Sequence, residues 1–131
     1  MFTTLQRYSP QLLSLMRIAM GITFVEHGTQ KLLGFPAPPP GMLPLPLLYF
    51  TGTLETVGGI LIALGLFTRP MAVPYLILMT LSAYDHAKYD GYFWNRSGIE
   101  YPLMWAVGVL YFLVHGGGPL SLDHLLLGRA F

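Results

Sequence analysis

Residues 11–31 read QLLSLMRIAMGITFVEHGTQK. The run is apolar and long enough to cross a bilayer, since about 20 helical residues at about 1.5 Å each span a hydrocarbon core of about 30 Å. It nevertheless carries Arg17, Glu26, His27 and Lys31. Ionisable groups at membrane depth cost about 2.5–3.5 kcal/mol each on insertion scales, so those that do not reach the surface need partners. The remaining segments have to supply them.

At about 100° per residue, Arg17, Gly21, Phe24, Gly28 and Lys31 fall on one face of this segment. Glycines on such a face let a second backbone approach, so the face is expected to look into a helical bundle. Glu26 lies opposite Arg17, toward a neighbouring protomer or the loop-side surface, and His27 sits at the boundary.

Outward from this stretch the chain alternates between apolar spans and helix breakers. Pro10 suits a first helical turn, where its missing N–H would be unpaired anyway, which sets the first span at about 10–31. Met1 to Ser9 form an interfacial lead-in. Gly34 to Pro46, GFPAPPPGMLPLP, holds six prolines and cannot form a regular helix. A second span follows at 47–67, with Glu55 as its single charge. Thr68, Arg69 and Pro70 make a tight connection to a third span at 71–87, which ends in Tyr84, Asp85 and His86. The aromatic and charged run DGYFWNRS at 90–97 suits headgroup level. The fourth span runs from 98 to 115, with Glu100 in its first turn, and Gly116, Gly117, Gly118 and Pro119 stop it. Ser121 is placed to cap a short terminal helix, with Leu120 and Leu125 as a hydrophobic staple and Leu125 to Leu127 along the membrane surface.

The composition agrees with this layout. Of 131 residues, 53% are hydrophobic and 10% charged, whereas soluble domains carry about 25% charged residues. The expected fold is an all-α membrane protein: one domain, residues 1–131, a four-transmembrane-helix bundle with a short C-terminal interfacial helix. A net charge of +1 with scattered Lys and Arg excludes a phosphate-binding surface for nucleic acid. The absence of cysteine removes disulfides, thiolate metal sites and a thiol relay, so a redox role has to use a partner or a bound cofactor. Arg17 interrupts any signal-peptide apolar region, so the N-terminal span is read as retained.

Four spans place both termini on one side, with Arg7, Arg69 and Arg129 there and Lys31, Lys88 and Arg96 on the other. The basic residues do not decide the orientation, and cytoplasmic termini are taken as the working expectation.

The candidate polar site combines Arg17, His27, Lys31, Glu55 and Glu100. Glu55 shares a helical face with Gly52, Gly59 and Ile62 near mid-membrane, where a carboxylate needs a partner. Arg17 is the expected one, its long side chain climbing toward the centre. Such a pair either locks two helices or serves a site. At the loop-side ends, Glu26, His27, Lys31, Asp85, His86 and Glu100 converge or are solvated where the spans leave the bilayer. A histidine beside a carboxylate suits proton exchange with a quinol or with water. No metal site is expected, and His27 with His86 lacks the context of a haem pair. The HGGG run at 115–118 has no nucleophile motif to serve, so it is read as a helix stop.

Arg17, Gly21 and Phe24, then HGTQKLLGF at 27–35, ETVGGILIALGLFTR at 55–69, Glu100 and GGGPLSLD at 116–123 together resemble the DoxX-like family of small integral membrane proteins. The resemblance implies a compact four-span bundle in the inner membrane and an association with quinone-linked redox systems. The functional expectation is therefore a multi-pass accessory subunit with quinone as the candidate cofactor and a homo-oligomer or a redox enzyme as partner. A small transporter using Arg17 and Glu55 as a gate, and a structural anchor or oligomerisation module using Glu26 and the proline-rich loop, are the alternatives.

Overall fold

A computed structural model describes residues 6–39, 43–89, 91–93 and 98–128. Among these there are five helices and no strand: α1 (Ser9–Leu33), α2 (Leu45–Leu64), α3 (Thr68–Tyr89), α4 (Glu100–His115) and α5 (Leu122–Leu127).

Local chemistry sets most of the boundaries. Pro10 occupies the first turn of α1, and Gly34 ends it with φ 67° while its N–H returns to Gln30 O. The end of α2 is a Schellman motif: Gly65 takes φ 70°, its N–H donates to Ile62 O, and Leu66 N–H donates to Leu61 O at 2.8 Å. Ser121 caps α5 by accepting from His124 N–H at 3.2 Å. Leu120 and Leu125, expected as its staple, are both exposed. The second and third helices depart from expectation. Gly65 stops α2 earlier than position 67, and Thr68, Arg69 and Pro70 belong to the first turn of α3 instead of to the connection.

The helices pack chiefly as two pairs, α1 on α2 and α3 on α4, with a smaller contact between α2 and α3. Backbones in the first pair come close: a Cβ at Gly21 would meet Ala63, one at Gly28 would meet Thr56 and Gly52 O, and one at Gly59 would meet Val25 and Gly21 O. Small residues at such a crossing allow the short separation on which helix association in lipid depends. Phe24 joins the two pairs, its ring 4.0 Å from Tyr75 of α3 and 4.5 Å from Trp105 of α4. Ile62, Ala72, Met79, Val109 and Phe112 complete the buried cluster.

The outside of the bundle carries many large apolar side chains. Leu12, Leu15 and Ile22 of α1, Val57 and Ile60 of α2, Val73, Ile77 and Leu81 of α3, and Leu103, Val107 and Leu110 of α4 are all exposed. A soluble domain rarely exposes so much contiguous apolar surface. Of the four spans expected, one helix among the described residues, α2, is long and apolar enough to cross a membrane by length and composition. The expected features at residues 1–5, 40–42, 90, 94–97 and 129–131, including Arg96 and Arg129, lie outside the described residues.

Candidate functional site

The antiparallel register of α1 and α2 decides which charges meet. With Gly21 against Ala63 and Gly28 against Thr56, the residue level with Glu55 is Thr29. Arg17 is then about 18 Å away along the axis at about 1.5 Å per residue, too far for the expected pair. Lys31, half a turn beyond that level, reaches back toward the start of its own helix, as helical side chains do. Its Nζ lies 2.7 Å from Glu55 Oε1.

Both partners of this ion pair are shielded, with side-chain exposures of 13% for Lys31 and 6% for Glu55. Gly28 and Gly52 produce the shielding by bringing the two helices together beside it. Below the pair, the Tyr75 hydroxyl donates to Glu55 O at 2.8 Å and ties α3 to the same turn. The second carboxylate oxygen, Oε2, is buried and accepts no hydrogen bond from the described residues. A buried acceptor without a donor costs about 1–3 kcal/mol, and more when charged. The pair therefore offers one satisfied oxygen and one open acceptor.

Arg17 belongs to the opposite end of the bundle. It is fully buried, and its guanidinium donates from Nε to Gly117 O at 2.8 Å, from Nη1 to Ile62 O and Ala63 O, and from Nη2 to Leu120 O at 2.8 Å. Ile62 and Ala63 are in the last turn of α2, where carbonyls lack helical donors. One cation thus fastens the end of α2 to the loop after α4.

Asp123 completes this knot. Its Oδ1 accepts from Phe67 N–H at 2.9 Å and its Oδ2 from Thr68 N–H at 3.1 Å, while its own N–H donates to Gly65 O at 2.9 Å. The carboxylate therefore caps α3 and holds Phe67 at φ 53°, a left-handed conformation that a large side chain rarely adopts. Ser14 joins from α1 by accepting from Leu120 N–H at 3.2 Å.

The other expected site residues are spread around the loop-side end. His27 is exposed on α1, edge-on to Trp105 with ring centroids 6.4 Å apart. Glu100 opens α4 and its N–H donates to Tyr92 O at 3.2 Å. Glu26 is exposed, on the side of α1 away from α2. Among the described residues no group of three or more His, Asp or Glu side chains is placed to hold a metal ion.

A model of the DoxX family matches residues 12–87, more than half of the chain. The chain belongs to the DoxX family. It is 36% identical over 129 residues to an uncharacterized protein of Haemophilus influenzae, covering 92% of this chain and 94% of the relative. It is 32% identical over 131 residues to an uncharacterized membrane protein of Mycobacterium tuberculosis, covering 87% and 80%. It is also 35% identical over 95 residues to the inner membrane protein YphA of Escherichia coli, covering 68% and 65%. No solved structure matches it significantly. With the apolar exterior, these likenesses make the chain a membrane protein of the DoxX family.

The run GGGPLSLD at 116–123 is thus a structural lock and more than a helix stop. Sequence reasoning missed Asp123, Ser14 and the carbonyl set around Arg17. The one available signal was a carboxylate two residues after the cap Ser121, because Asp123 is buried although it stands on a short, otherwise exposed helix.

Proposed function

We propose that this DoxX-family protein crosses the inner membrane four times, through α1 to α4, and serves as an accessory subunit of a quinone-linked redox system. The apolar exterior on all four long helices supports the spans, and exposed Leu125, Leu126 and Leu127 suit a surface-lying α5. Termini on the cytoplasmic side complete the reading.

The observation that carries the site is the buried Lys31–Glu55 pair with its open oxygen. A quinone in its reduced, quinol form fits this chemistry: Glu55 Oε2 accepts from a quinol hydroxyl, and Lys31 fixes the carboxylate by holding Oε1. When bound, the quinone supplies two-electron chemistry coupled to proton exchange. Glu55 holds or releases the proton at Oε2, with His27 and Glu100 at the same end as its exchange partners toward water. Electrons pass to a partner protein, since the chain lacks cysteine. Arg17 stands outside the site because its donors are engaged by carbonyls at the other end.

The test is titration of purified protein with a soluble quinone analogue in its reduced, quinol form. Saturable binding that Glu55→Gln weakens at least tenfold supports the site; no binding, together with unchanged partner activity in Glu55→Gln, removes it.

A further inference from the structure

The proposed redox site leaves the outer side of α1 unexplained. Leu12, Ala19, Glu26 and His27 are exposed there and Thr23 is half-buried. Thr23 Oγ1 turns back to Met20 O at 2.9 Å within its own helix, and Gln30 reaches Pro38 O at 2.9 Å. Glu26 has no such outlet. Its carboxylate has no ion pair or hydrogen bond among the described residues, and it stands about 10 Å inside the helix end at Leu33 at about 1.5 Å per residue. Lipid tails offer it no donor.

We propose that this face of α1 docks a second copy of the chain, in the same orientation, with Glu26 of each copy paired to His27 of the other. The two residues are adjacent in sequence, so about 100° separates them around the helix and they flank one strip of surface. About a two-fold axis parallel to α1, each flank meets the opposite flank of the copy, with an axial offset of one residue or about 1.5 Å. Each carboxylate then gains an imidazole and each imidazole a carboxylate, which is the self-complementarity a symmetric contact requires. Ala19 and Thr23 lie on the same strip and are small enough for close approach. The inference rests on α1 crossing the membrane and shares His27 with the quinone reading, but its cross-linking test involves no quinone.

The natural chain has no cysteine, so Ala19→Cys creates a single reporter thiol. Carbonate-washed membranes carrying this variant are oxidised with copper phenanthroline and resolved without reductant. The expected result is a band at twice the chain mass, at least fivefold stronger than with Ile77→Cys on the apolar outside of α3. Adding His27→Glu, which opposes four carboxylates across the contact, lowers the band at least fivefold. The exchange Glu26→His with His27→Glu restores it to within twofold. Equal cross-linking at Ala19→Cys and Ile77→Cys, a product of another mass, or failure of the exchange to restore the band would overturn the pairing alone. Protein removed from the membrane by carbonate would overturn the spanning reading and the pairing with it.

Discussion

The two ends of the α1–α2 pair each bury a cation supplied by α1, and they treat it in opposite ways. At the end near residue 17, every nitrogen of the guanidinium is matched to a carbonyl, and both oxygens of Asp123 are matched to N–H groups. At the end near residue 31, the Glu55 carboxylate has one oxygen on Lys31 and one without a donor among the described residues. Complete pairing makes a joint. A spare acceptor in a dry, shielded position makes a place where something else can bind.

The strongest way to break this contrast is at the joint. Arg17→Lys removes the fork that reaches four carbonyls, leaves at least two of them without donors and is expected to cost about 3 kcal/mol or more. Its signature is loss of monodisperse protein in detergent and a large fall in Tm. Asp123→Ala uncaps α3 and frees the strained Phe67 backbone, for an expected loss of about 2 kcal/mol, read as a smaller Tm decrease. Gly28→Ala pushes α1 off α2 beside the ion pair; overpacking of this kind costs about 1–3 kcal/mol, and quinone-analogue binding is expected to weaken with it. Glu55→Gln sharpens the comparison from the other side. The amide keeps an acceptor for Lys31 and changes the open acceptor into a donor, so Tm should move by less than about 1 kcal/mol equivalent while ligand binding falls. A Glu55→Gln protein as unstable as the Arg17 variant would show that both ends are joints.

Much of the helical layout was legible because it depends on local chemistry. Pro10, Gly34, Gly116 and Ser121 mark ends wherever the chain goes, and the glycine face of α1 follows from helical periodicity alone. The end of α2 is set by Gly65, and the start of α3 was read wrongly because the group that caps it, Asp123, arrives from more than fifty residues away. The Arg17–Glu55 pairing failed for a related reason. Helical faces give angle but not height, and only the antiparallel register fixed by Gly21, Gly28 and Gly59 shows that Lys31, not Arg17, stands within reach of Glu55. Trp105 and Tyr75, which complete the wall around Phe24, carry no motif and become visible only once α3 and α4 are placed.

The lock at residues 116–123 also sets an order of assembly. Its carbonyls and carboxylate are synthesised after all four long helices, yet they are what Arg17 and the turn at Gly65 bind. During translation the early helices therefore wait with an arginine matched only at Ile62 O and Ala63 O, and with an uncapped α3. A chain interrupted before Asp123 leaves both defects open.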